Sequence, residues 1–186
     1  LELFPASLMK QVTINKSSGT LTIQDTIEVT GKWTYTAGTV ASSTSTVKFQ
    51  TNSFTVDSGA MSFNNVTVDV GSSTLTVTGT MDVNGVFTLT TAGSINTGTV
   101  TVAGNVTSTD TSVSGSAKIK LDGAGAQTIT ANSSADFPNN DFIIDKSGGT
   151  ATLGSGVTFG NLLRVTNGTF SQGAGNNLTA GSGITV

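Results

Sequence analysis

Cysteine and histidine are both missing from these 186 residues. Their absence removes disulfides, thiol nucleophiles, the usual zinc sites and every Ser-His or Cys-His catalytic pairing. Charge is scarce as well: 10% of residues are charged, against about 25% in ordinary soluble domains. The net charge of -3 leaves no basic footprint for nucleic acid or for an anionic membrane. Proline occurs twice, tryptophan and tyrosine once each, and Arg164 is the only arginine. No run approaches the ~20 apolar residues of a membrane span. The opening LELFPASLMK, with Glu2 and Pro5, does not read as a signal peptide. A 3.6-residue apolar period never persists beyond a turn or two, so essentially no helix is expected.

What is present is Ser and Thr, roughly three residues in ten, with 23 glycines. Such a composition can mean disorder. Here the apolar residues alternate and recur in register, as a buried face requires. The Thr, Val and Ile content favours pleated strands.

The text repeats three times, each copy setting out from a phenylalanine: Phe4, Phe63 and Phe137. After Phe4 comes QVTINKSSGTLTIQDTIEVTGKWTYTAGTV (11–40); after Phe63, NVTVDVGSSTLTVTGTMDVNGVFTLTTAGSI (65–95); after Phe137, DFIIDKSGGTATLGSGVTFGNLLRVTNGTF (141–170). Val12, Val66 and Phe142 align, as do Ile14, Val68 and Ile144, then Ile23, Val77 and Leu153, then Trp33, Phe87 and Leu163. These positions are the expected core stack. The copies are 54 and 76 residues apart, and copy two carries extra text near 99–115. One domain is expected, with repeats at 4–62 and 63–136 and a partial repeat at 137–186.

Strand signals of three to five residues follow one another, for example VTI (12–14), TLTI (20–23), TIEV (26–29) and WTY (33–35). The short gaps exclude βαβ crossovers. Asn-Gly at 84–85 and 167–168 would allow hairpins and hence a sandwich. The long repeat and the coil-sized insertion favour an all-β parallel β-solenoid, with coils of about twenty residues and three strands each. Eight to ten coils spaced by about 4.8 Å would make a rod on the order of 40–50 Å long.

Segments such as DGAGAQTI, FPNNDFIIDKSGGT and FNNVTVDVGSSTLTV resemble the repeats of large secreted bacterial surface proteins with parallel β-helices. The resemblance implies an extracellular or cell-surface structural role, as adhesin, stalk or surface layer, and carries over no catalytic residue. Zero cysteine fits an exported bacterial protein.

Individual residues weigh little toward chemistry. Trp33 and Tyr35 align with bulky positions and read as core. Asn15, Asp69 and Asp145 align directly after a strand and read as turn residues bonding backbone amides and stacking as a ladder. The other carboxylates share no register position, and Arg164 reads as a solvated edge charge. No cofactor is expected, although Asp136, Asn139, Asn140 and Asp141 could gather around a calcium ion. Thr-x-Thr recurs, but aligned pairs such as Thr20/Thr22, Thr74/Thr76 and Thr150/Thr152 come once per repeat, which argues against an ice-binding array. Six Asn-x-Ser/Thr sequons stand against about four that this much Ser and Thr gives by chance, and so carry little weight.

Open solenoid ends expose strand edges. Leu1, Leu3, Phe4, Leu8 and Met9 at one end and Leu178, Ile184 and Val186 at the other are the expected assembly residues. Either the chain is a piece of a longer array, or copies join head to tail into a filament. The alternatives are a stalk or module with a face for surface glycans, and a polysaccharide-active enzyme.

Overall fold

The computed structural model describes residues 2–3, 8–132 and 136–186. Its described residues form strands and turns with no helix, wound into a parallel β-solenoid of about nine turns. Every strand pairing among them is parallel, with partners 19 to 24 residues apart in sequence. Neither Asn-Gly step closes a hairpin: Asn84-Gly85 lies between strands and Asn167-Gly168 lies inside the strand Leu162–Ser171.

Three ladders run along the rod, and the chain visits them in fixed order. Ladder A includes Thr80–Val83, Thr99–Val102, Lys118–Leu121, 142–144, 162–164 and Gly183–Thr185. Ladder B includes Leu8–Met9, Thr26–Val29, Thr46–Gln50, 66–68, 87–89, Val106–Ser108 and Gln127–Thr130. Ladder C includes 12–14, 33–35, Phe54–Asp57, 75–77 and 94–96, and beyond it Val157–Phe159 and Leu178–Ala180 pair as a separate two-stranded sheet. Thr99 pairs with Lys118, so the extra text of copy two makes one complete coil.

Alternation explains why these segments form strands. In Asn65–Val77 the side chains of Val66, Val68, Val70, Leu75 and Val77 point inward and are buried, while Thr67 and Asp69 face outward. With β-branched residues on a surface buried on one side, strand is the fitting conformation. A strand as short as Val106–Ser108 holds because it is paired above and below, and its apolar side is closed off by the other two ladders.

The three longest strand pairings fall at equivalent places in the three copies. Val12–Ile23 pairs with Trp33–Ala41, Asn65–Val77 with Phe87–Asn96, and Phe142–Leu153 with Leu162–Ser171. Each pairing turns a corner of the solenoid and shifts register there. Yet the corners differ: Val12 is on ladder C, Val66 on ladder B and Phe142 on ladder A. The aligned positions therefore form not one stack but three, one for each copy.

Two aromatic clusters thicken the core. Trp33, Phe49 and Phe63 meet edge to face, with centroids 5.1 to 6.2 Å apart. Phe137, Phe142 and Phe159 meet at 4.6 to 5.8 Å. Such pairs add roughly 0.5–1.5 kcal/mol each beyond area burial. Phe63 and Phe137, which open copies two and three, thus serve as core wedges; Phe4 lies outside the described residues. The Trp33 indole N–H is buried without an acceptor, so this position uses the ring for its bulk.

Candidate functional site

All of the expected core positions are buried: Val12, Ile14, Ile23, Trp33, Val66, Val68, Val77, Phe87, Phe142, Ile144, Leu153 and Leu163. Tyr35 sits at the margin of the core: it packs against the buried cluster but is only partly buried, and its hydroxyl donates to the Gly38 carbonyl at 2.7 Å. Of the expected end residues, Met9 and Leu178 pack partly against the core, while Leu8, Ile184 and Val186 are exposed. Leu1 and Phe4 lie outside the described residues, as does the side chain of Leu3, whose backbone pairs with Ile23.

The aligned turn residues bond differently from the sequence expectation. Asp69 takes Lys48 of the preceding coil at 2.9 Å and Asp145 takes Lys120 at 3.4 Å, in each case across neighbouring coils. Asp69 also accepts from the Thr91 hydroxyl. Lysine and threonine side chains, not turn amides, are therefore the partners. Because Asn15, Asp69 and Asp145 sit at different corners, they build no common ladder. The bond from Lys48 and that from Thr91 hold the Asp69 carboxyl below its ordinary value.

Carboxylates that share no position in the repeat alignment become neighbours on ladder A. Asp82 pairs in register with Thr101, which pairs with Lys120. Asp82 accepts from the hydroxyls of Ser62 and Thr101. Lys120 lies 3.9 Å from Asp122 and 3.4 Å from Asp145. Burial raises the Asp122 pKa, Lys120 opposes the rise, and the charges of Asp82 and Asp145 add to it. Arg164 keeps the outward, partly solvated place expected of it, and it also has an ion-pair partner. It donates through Nε to Asp141 at 2.5 Å, and Asp141 takes a second bond from Asn161 at 2.9 Å.

Three of the four residues considered for calcium are turned to protein donors. Asp136 accepts from the backbone of Asn132 and Thr158, Asp141 from Arg164 and Asn161, and Asn140 from the backbone of Asp141. Asn139 is exposed. Among the described residues no three acidic groups gather as metal ligands.

Lys146 was invisible in the sequence. It is 1% exposed, and its ammonium donates to the carbonyls of Gly123 at 2.6 Å and Gly125 at 2.8 Å and to the Gln127 side-chain oxygen. Gln127, itself buried, passes its amide hydrogens down to the carbonyls of Val102 and Gly104. One polar chain thus pins three successive coils at a corner. Burial pulls the Lys146 pKa below its ordinary value, and Asp122 opposes that pull. The aligned residues, Lys16 and Val70, gave no hint, since Lys16 is half-buried and Val70 is an ordinary core residue.

The threonine spacing also differs from the sequence expectation. Thr67, Thr88, Thr107 and Thr130 stack in register on four successive coils of ladder B. Thr128 and Thr152 pair beside them. None of these hydroxyls has a protein partner among the described residues, whereas Thr74 on ladder C is bonded to Ser94 at 2.7 Å. No protein-family model, curated protein or solved structure matched this chain.

Proposed function

We propose that the chain is a non-enzymatic structural rod of the extracellular or cell-surface kind, a stiff element whose coils can be continued by those of another copy. The observation that carries the reading is the coil-on-coil stacking. Parallel pairing and buried Val, Ile, Leu and Phe link successive coils along the described chain, and outward side chains such as Lys48 on Asp69 add bonds between neighbouring coils. Rigidity follows because bending would have to break ladder bonds and core packing together. A second copy adding coils head to tail would use the same backbone ladder that joins coils within the chain. Negative-stain microscopy across a concentration series should show straight particles on the order of 40 Å per chain, lengthening into filaments as concentration rises. Short rods at every concentration would rule out self-assembly, and collapsed particles would rule out the rod.

A second reading rests on the threonine column. Free hydroxyls repeating about every 4.8 Å along one column of four coils, with Thr128 and Thr152 beside it, form an ordered, uncharged row suited to an ordered water layer. If this face binds ice, the protein will slow ice recrystallisation and Thr88→Lys/Thr107→Lys will abolish the effect. Equal behaviour of the two proteins, or no inhibition by the parent, would eliminate this reading.

A further inference from the structure

The corner that follows Tyr35 is built on two levels and left open on the third. Residues 36–41 lie in register over 15–22 of the coil below. Pairing to the coil above stops at Thr34 with Asp57. From there the chain takes a tight turn, closed by the Met61 amide on the Ser58 carbonyl, and moves directly to ladder A. The equivalent corner of copy two, around Ala92, is instead covered by the next coil. There the Asp110 carboxylate accepts the Ala92 amide at 2.5 Å and the Ser112 amide at 3.0 Å. In copy one the uncovered ledge leaves a notch of about 360 Å³. Tyr35 forms one wall, Gly38, Thr39 and Ser42 lie on its ledge, and Ser62 and Asn84 complete the lining from the coils above.

We propose that this notch is a binding site for one residue of a neutral saccharide chain, with Tyr35 as its aromatic wall. The volume lies at the small end of ligand pockets, about 300 Å³ upward, and suits one pyranose. No charged side chain lines it, and the nearby carboxylate of Asp82, bonded to Ser62, disfavours an acidic sugar. Because the Ser62 hydroxyl donates its hydrogen to Asp82, its oxygen is left to accept from a sugar hydroxyl. The Asn84 amide offers both a donor and an acceptor. An aromatic ring beside uncharged hydroxyl and amide groups matches a pyranose, which has apolar C–H faces and a polar rim. The open edge of 36–41 is a poor template for an extended peptide, since it turns a corner and Gly38 takes φ of 121° there. Gly59 seats against the Tyr35 ring, where a Cβ would come within 2.6 Å of Cδ1, and so restrains the ring as the wall.

One site of this size gives a weak complex, Kd on the order of 1 mM, so the test must read weak binding by residue. Backbone-amide NMR titration of the whole chain with cellohexaose, xylohexaose, laminarihexaose and maltohexaose should give saturable shifts at Gly38, Thr39, Ala60 and Asn84 with at least one of them. Thr39→Trp, an exposed position on the ledge, should fill the notch and abolish those shifts while the rest of the spectrum is preserved. Tyr35→Ala should weaken binding about tenfold, and Asn84→Ala about threefold to tenfold. The proposal is overturned if none of the four sugars saturates, or if the shifts persist in Thr39→Trp or map to another face. Neither result bears on rod shape, which microscopy reads separately.

Discussion

Lys146→Met is expected to destabilise the protein by about 2–4 kcal/mol in urea unfolding at neutral pH. Methionine fills much of the same volume but donates nothing. The carbonyls of Gly123 and Gly125 and the Gln127 oxygen would then be buried with one fewer donor. Lys16→Met is the internal control: Lys16 holds the aligned position in copy one but is half-buried, so a change within about 0.5 kcal/mol is expected. Equal effects at the two sites would mean that the three-coil pin carries no stability. The pH dependence has a definite sign. Burial sets the folded pKa of Lys146 below the unfolded value of 10.5, so across that window the unfolded chain binds more protons. Stability of the parent relative to Lys146→Met should therefore be flat in acid and rise with pH from the folded pKa up to 10.5. A fall over that range would show that the acceptors, not burial, govern the lysine.

Gly115→Ala should be at least as damaging, by about 3 kcal/mol or more, or should prevent folding. Gly115 takes φ of 108°, and an added Cβ would lie 2.1 Å from the Ile95 carbonyl oxygen of the coil below. Coils here stack backbone on backbone, and no side chain can yield to make room. Gly125→Ala provides the contrast, since nothing lies within 4 Å of its Cβ position and its φ is not positive. That change keeps the carbonyl that Lys146 uses and should fall within about 1 kcal/mol of the parent, on the stabilising side if anything. Thermal melts of both variants decide the matter; a tolerated Gly115→Ala would refute the close stacking at this corner.

The solenoid was readable because its rule is local. Val66, Val68, Leu75 and Val77 alternate with polar residues, and spacing alone forbids helical crossovers, so strand, parallel pairing and core follow from short windows. The surface is set by another distance, the 19 to 24 residues between coils, and the repeat alignment measures something else. Asp82, Asp122 and Asp145 occupy unrelated places in the repeat but adjoin across coils of ladder A. Thr67, Thr88, Thr107 and Thr130 look irregular in the text and form a column in space. The burial of Lys146 depends on the GAGAQ loop one coil below, and no window around the lysine contains that information. Tyr35 aligns with leucine and valine, yet it is only partly buried, because pairing to the coil above stops at Thr34 and only Gly59 of the later turn seats against its ring.

The placement of Val12, Val66 and Phe142 on three different ladders has a mechanical consequence. From copy one to copy two the chain advances two full coils and two further faces; the inserted coil of copy two adds a whole revolution and leaves that phase unchanged. Like text is thereby dealt around the rod in rotation, and the three copies start on three different faces. A sticky motif therefore cannot become a continuous seam along one side, and two rods lying side by side cannot match identical stripes over their whole length. Even the threonine column ends where its own copy does. Phase rotation of this kind opposes sideways bundling through identical stripes.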